Sequence, residues 1–159
     1  MTRKRRLLAL LFAASIALAL PRGTLGEDYA SYYDYDPSAP LNSDVRIARD
    51  EPKYTLLKVY FDSVNGERVP ALLSMPKGGG GPFPCILFLH GYGGEKEDII
   101  PLAEFVAEAG YAVIAIDAQY HGERRKPGVE LYSTNMTRSR DGFIQTVVDA
   151  RRALDYLGT

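Results

Sequence analysis

From Tyr54 onward, short runs rich in β-branched and aromatic residues alternate with segments of helical period. Residues 54–62 (Tyr-Thr-Leu-Leu-Lys-Val-Tyr-Phe-Asp) form the first such run and residues 67–75 the second. Between them stands Asn65-Gly66, a pair that tolerates positive φ at both positions and predicts a hairpin turn. Pro70 has no N–H to give to a ladder, so it is expected at an edge or a bulge. Lys77-Gly-Gly-Gly-Gly-Pro82 predicts a flexible connector. Residues 85–89 (Cys-Ile-Leu-Phe-Leu) and 111–116 are continuously apolar, the pattern of strands buried on both faces in a parallel sheet covered by helices. Between these two runs, Leu102, Phe105, Val106 and Ala109 recur at helical spacing within 101–109. Pro101 suits the first turn of that helix, and Gly110 its stop. Strand, helix and strand in this order predict a βαβ unit with a right-handed crossover.

A long polar loop is expected over 118–138. A last helix follows from about 141 to 157, with Phe143, Val147, Leu154 and Leu157 as its apolar stripe and Gly158 as its stop. Residues 27–53 show no sustained apolar period. They hold four tyrosines within 29–35 and predict an irregular arm or linker, and no internal repeat is visible.

The first 26 residues differ in kind. Arg3-Lys-Arg-Arg6 precedes an uncharged run from Leu7 to Leu20, which predicts a secretory signal peptide and a secreted or periplasmic chain without a stable membrane anchor. The run is short for a membrane span, which needs about 20 apolar residues. Within 159 residues the formal net charge is -1, but the five bases of residues 1–26 face no acid, so the remainder is acidic. That balance gives no basis for nucleic-acid binding. A composition of 46% hydrophobic and 25% charged residues excludes a disordered or collagen-like chain, and the length predicts one domain after the signal. Cys85 is the only cysteine, so no internal disulfide forms, and its apolar run marks it as a small buried hydrophobe.

Candidate chemistry gathers at the ends of the two apolar runs. Leu87-Phe-Leu-His90-Gly91-Tyr92-Gly93-Gly94 places a glycine-rich loop at the end of a strand, where ligands of open parallel sheets bind. Backbone N–H groups in such a loop can hold an oxyanion, although a tight turn has the same pattern. After the second run comes Asp117-Ala-Gln-Tyr-His121-Gly122-Glu-Arg124. Asp117 and His121 could form a relay, or a metal site with Glu123, but two such groups at a strand end more often fix the following loop. Arg124, Arg125 and Lys126 make a small basic cluster, expected as a solvated loop, with binding of a substrate carboxylate as the alternative.

The hairpin, the His-Gly-Tyr-Gly-Gly loop, the Asp-x-x-x-His-Gly segment and the closing helix, in this order, resemble the N-terminal half of the α/β-hydrolase fold. The resemblance covers residues 54–159. It is greatest to dienelactone hydrolase-like and acetyl xylan esterase-like secreted esterases, and prolyl oligopeptidase-type peptidases are similar too. It implies an α/β fold in which an N-terminal antiparallel hairpin leads into a parallel sheet with flanking helices. It implies that the Tyr92 backbone N–H forms half of an oxyanion hole, with His90, Gly91, Gly93 and Gly94 shaping the loop. Asp117, His121 and Gly122 would then form a structural loop beside the site. His90 would not be the general base, because in that family the catalytic His comes last in the chain. The resemblance implies a small-molecule ester substrate, and no metal or organic cofactor is called for.

The family's nucleophile lies in Gly-x-Ser-x-Gly. The serines here, at 15, 31, 38, 43, 63, 74, 133 and 139, have no such frame. The chain is therefore expected to be the N-terminal part of a serine ester hydrolase, inactive by itself, with a free sheet edge open to self-association. A secreted, non-catalytic binding module is the reading from another class. A Rossmann-like nucleotide binder is disfavoured by the lack of Gly-x-Gly-x-x-Gly.

Overall fold

A computed structural model describes residues 28–159; the segment read as an export signal lies outside the described residues. Residues Tyr32–Thr159 form one compact unit. Its five strands, β1 (Asp44–Asp50), β2 (Tyr54–Asp62), β3 (Arg68–Pro76), β4 (Cys85–Leu89) and β5 (Ala112–Ile116), form one sheet in the order β1-β2-β3-β5-β4. β1, β2, β3 and β5 pair antiparallel in turn, whereas β4 and β5 are parallel. Between β4 and β5 runs helix α1 (Ile100–Glu108), and helix α2 (Met136–Leu157) ends the fold. Leu72, Val113 and Ala115 cluster with Ile99, Ala103 and Ala107 at α1, while Leu73, Ile114 and Ile116 cluster with Ala150 and Ala153 of α2. Alternate strand residues point to opposite faces, so the two helices cover opposite sides of the sheet.

The predicted hairpin turns at Asn65 and Gly66, both at positive φ (58° and 71°). Four expectations change. The segment read as an irregular arm contains β1, an edge strand whose Val45 and Ile47 stay exposed, so it needed no apolar run to form. Pro70 stands in a central strand, opposite Tyr60. Its carbonyl accepts from the Asp117 N–H (3.0 Å), just past the last β3–β5 pair, Ala71–Ile116. In such a pair an N–H at residue 70 would have met the Asp117 carbonyl, which instead accepts from Arg124 Nη1 (3.2 Å). β4 is an edge strand rather than one buried on both faces, and Cys85 is exposed at its start. The loop expected to reach residue 138 stops earlier, because Asn135 caps α2, its Oδ1 accepting from the Arg138 N–H (3.1 Å).

Of the apolar stripes read from the helices, Val106 and Leu157 pack against the core, whereas the other positions are exposed. In α1 the small residues Ala103 and Ala107 are buried, while Phe105 is 74% exposed. In α2 the buried face carries Gln145, Asp149 and Arg152, while Phe143, Val147 and Leu154 are exposed. This inner face is polar because it anchors loops. Asp149 accepts from Ser63 Oγ (2.5 Å), Gln145 Nε2 (2.8 Å) and Arg124 Nη1 (2.6 Å), and Arg124 Nη2 also reaches Glu67 (3.1 Å). Arg124, expected in a solvated cluster, is therefore a buried crosslink. Arg152 donates to the carbonyls of Ala39 (2.7 Å) and Pro37 (3.2 Å) and holds down the segment before β1.

A second buried network closes the end of β5. Asp117 is fully buried; Oδ1 accepts from the Lys96 N–H (2.9 Å), and Oδ2 from Lys96 Nζ (2.9 Å) and the Glu123 N–H (3.0 Å). Lys96 Nζ, itself buried, also pairs with Glu123 (2.7 Å) and Glu97 (3.0 Å). Burial works against the Lys96 charge, but the hydrogen bonds to Glu123, Asp117 and Glu97 outweigh it and hold the ammonium above its ordinary range. Burial likewise pushes the Glu123 carboxyl up, but hydrogen bonds from Lys96, Tyr60 and Lys58 outweigh it and bring it down to about 2. Gly122, at φ 50°, passes so close that a Cβ there would overlap the Asp117 carboxylate.

Two tests follow from this packing. Gly122→Ala combines an unfavourable φ with that overlap and should cost at least about 1–3 kcal/mol, seen as a lower urea midpoint with an unchanged slope. The folded pKa of Glu123 lies below its ordinary 4.5, so the stability it contributes is whole above that pH and lost as pH falls toward about 2. Glu123→Gln should therefore flatten the fall in urea midpoint across that window, and an unchanged pH profile would contradict the network.

Candidate active site

The glycine-rich loop leaves the carboxyl end of β4 as a tight turn. The Gly94 N–H donates to the Gly91 carbonyl (3.0 Å), and Gly93 has φ 78°. Tyr92 is not among the residues of positive φ, so the turn is of type II, with Tyr92 at its second position and Gly93 at the third, which requires positive φ. Tyr92 lies outside β4, its side chain is 65% exposed, and among the described residues no acceptor takes its N–H. From the neighbouring loop, Arg125 donates to the Gly93 carbonyl (3.2 Å).

The ends of β4 and β5 lie side by side because the two strands pair in parallel through Leu89 and Ile116. This register brings the two histidines together, with ring centroids 5.0 Å apart. His90 Nε2 lies 3.1 Å from the Ala118 N–H, and His90 Nδ1 lies 2.8 Å from the Gly91 carbonyl. An N–H can only donate, so Nε2 accepts, and the neutral ring carries its proton on Nδ1. His121 is buried, with Nδ1 3.0 Å from the Gln119 carbonyl. A carbonyl only accepts, so this nitrogen also carries a proton.

Above the strand ends lies a cavity of about 260 Å³, walled by His90, Tyr92, His121, Tyr132, Phe143 and Val147, with Leu89, Ile116 and Leu131 among its further lining. The aromatic rings meet edge to face: Tyr92 on Tyr132 (4.9 Å), Tyr132 on Phe143 (5.3 Å), and Tyr92 on His121 (6.0 Å). A more polar cleft of about 480 Å³ shares Tyr92 and His121 with it and extends past Arg125 and Lys126.

All the residues singled out from the sequence thus lie at the carboxyl ends of β4 and β5, but not in the same role. His90, Gly91, Tyr92 and His121 line the cavity, while Gly93 and Gly94 complete the turn. Asp117 does not meet His121. Its carboxylate is taken by Lys96 and Glu123, so the Asp–His relay is not formed. Among the described residues no group of three or more His, Cys, Asp or Glu is arranged to hold a metal ion, and no helix is long and apolar enough to cross a membrane. Reading the sequence missed Lys96, which stands in a charged run with no distinguishing pattern. It also missed the far wall of the cavity. Phe143 and Val147, four apart on α2, carried the right spacing but were taken for core, and Tyr132 sits in a loop without periodicity.

Comparison with known proteins identifies the family and the fold. Residues 20–157 match the family model for acetyl xylan esterase (AXE1). The Bacillus subtilis (strain 168) protein named "Putative hydrolase YtaP" is 28% identical over 123 residues, 68% of this chain and 41% of that protein. Acetyl xylan esterase 1 from Thermoanaerobacterium sp. JW/SL YS485 superposes with a TM-score of 0.61 at 25% identity, over 77% of this chain and 43% of its own. The acetyl xylan esterase from Paenibacillus sp. R4 shares the fold, with a TM-score of 0.59 at 22% identity, over 74% and 41%. The chain spans about two fifths of the length of these relatives. On the match along nearly its whole length, the chain belongs to the acetyl xylan esterase family.

Proposed function

We propose that this chain supplies the oxyanion donor and part of the acyl pocket of a serine carboxylic-ester hydrolase. The observation that carries the reading is the Tyr92 N–H, unbonded among the described residues at the tip of β4, beside an aromatic-walled cavity. A preorganised donor of this kind is worth most where negative charge develops on a carbonyl oxygen in the transition state. The cavity is lined largely by apolar and aromatic side chains with His90 and His121 among them, which suits an acyl group. No serine of the chain has the Gly-x-Ser-x-Gly frame, so on this reading the nucleophile is not one of these 159 residues, and the acid and base follow it in the order of the α/β-hydrolases. The basic and apolar residues 3–20 support export of the protein.

The turn offers a direct test. Proline is favoured at the second position of a type II turn, so Tyr92→Pro deletes the N–H while keeping the backbone path. Tyr92→Ala keeps the N–H and deletes the ring. The chain by itself should show no saturable hydrolysis of 4-nitrophenyl acetate. Joined to the part of the Bacillus subtilis relative that follows the matched segment, it should hydrolyse that ester. In this longer polypeptide Tyr92→Pro should lower kcat by about 10²–10³, and Tyr92→Ala far less. Equal losses in the two variants would show that the ring, not the amide, matters.

The unpaired edge of β4, with Ile86 and Leu89 exposed on it, also supports association of the isolated chain through that edge. Gel filtration should show a species larger than a monomer that Ile86→Lys returns to monomer; a monomer at high concentration would count against it.

A further inference from the structure

We propose that His90 is a positioning residue that orients and strengthens the Tyr92 amide as a donor through a continuous hydrogen-bond chain from β5. The inference rests on the reading of Tyr92 as the oxyanion donor. The chain begins at the end of β5, where the Ala118 N–H donates to His90 Nε2 (3.1 Å). That bond leaves the ring proton on Nδ1, which is aimed at the Gly91 carbonyl (2.8 Å). The same carbonyl accepts the Gly94 N–H (3.0 Å). Gly91 C=O and Tyr92 N–H belong to one peptide group, so the only donor on the far side of this doubly bonded carbonyl is the amide that faces the cavity.

Two effects follow. Two bonds from different directions fix the plane of the Gly91–Tyr92 peptide and therefore the direction of its N–H. A carbonyl that accepts hydrogen bonds also polarises its own peptide group, strengthening the N–H opposite by about 10–30% per bond. The source of the chain is itself immobilised. Ala118 follows Asp117, whose N–H bonds the Pro70 carbonyl and whose carboxylate is held by Lys96 and Glu123. His90 thus couples the rigid end of β5 to a turn that otherwise hangs from the edge strand β4. It needs no proton transfer, which separates this role from that of a general base.

Selective labelling reads the proposal in the full chain. There are only two histidines, so ¹⁵N-histidine gives two imidazoles, which His121→Gln assigns. Carbonyl-¹³C glycine with ¹⁵N-tyrosine marks only the Gly91–Tyr92 and Gly110–Tyr111 peptides. Tyr111 donates to the Val106 carbonyl (3.1 Å) and serves as the internal reference. In solution or by magic-angle spinning, His90 should be protonated on Nδ1 and not on Nε2. His90→Phe should move the Gly91 carbonyl carbon and the Tyr92 amide proton upfield while Tyr111 stays. His90→Asn, whose carboxamide N–H can still reach the Gly91 carbonyl, should recover part of the shift. A proton on Nε2 would overturn the proposal, as would Gly91 and Tyr92 signals that move no more than Tyr111. If His90→Phe displaces Tyr111 as well, the same comparison with His90→Asn decides.

Titration with ethyl acetate separates this proposal from the reading beneath it. It should shift the Tyr92 amide saturably, with a dissociation constant roughly threefold to tenfold weaker in His90→Phe. An ester that leaves Tyr92 unmoved in the unsubstituted chain, while His90→Phe still shifts that amide, would remove the acyl-site reading and support the hydrogen-bond chain. Equal affinities in the two proteins would overturn the claim that His90 strengthens the donor.

Discussion

The carboxylate of Asp117 is fully buried and accepts hydrogen bonds from a backbone N–H on either side of it in space, at Lys96 and at Glu123, and from the Lys96 ammonium. A buried pair of this kind gains little over well-packed apolar groups, because both charges give up their hydration. Its consequence is geometric. Lys96 lies in the segment that follows the glycine-rich turn, and Glu123 in the loop after β5. One side chain therefore ties together the two loops that carry His90, Tyr92 and His121. Removing Lys96 would leave the Asp117 carboxylate buried without a countercharge, at a cost of about 3–5 kcal/mol, so the arrangement holds as a unit. Gly122 belongs to this unit because the carboxylate occupies the space a side chain would need.

This constraint explains how a turn at the end of an edge strand can be precise. β4 is paired on one side only, and its turn is stitched in place from the β5 side, by Ala118 through His90 and by Arg125 on the Gly93 carbonyl. The type II turn leaves the Tyr92 N–H as the group without an internal partner among the described residues. Rigid surroundings and one open donor are what an oxyanion site requires, since reorganisation at the moment of reaction would forfeit the electrostatic advantage.

Much of this was legible in the chain. β2, β3, β4 and β5 followed from runs of β-formers and from Asn65-Gly66, and the place of the candidate loop at a strand end followed from glycines directly after an apolar run. What misled was the assumption that apolar stripes face inward. Phe105 and Leu102 of α1, and Phe143 and Val147 of α2, have helical spacing, yet alanines and polar anchors occupy the inner faces instead. Periodicity identifies a face but does not say what it packs against. Arg124 and Lys96 escaped for a related reason. A buried cation differs from a solvated one only through partners distant in sequence, and Asp149 and Asp117 stand 25 and 21 positions away.

The polar inner face of α2 has a role that an apolar one could not fill. Asp149 gathers Ser63 from the β2–β3 turn, Gln145 from its own helix and Arg124 from the loop after β5. Arg124 also donates to the Asp117 carbonyl (3.2 Å), so this network meets the Asp117 network at that residue. Hydrophobic contact is non-directional and would let α2 slide along the sheet; hydrogen bonds at fixed angles set its register. That register decides where Phe143, Thr146 and Val147 stand, and they form the far wall of the cavity. The anchors beneath the helix thus determine the shape of the pocket on its other side, and Phe143 and Val147 are pocket wall rather than misplaced core.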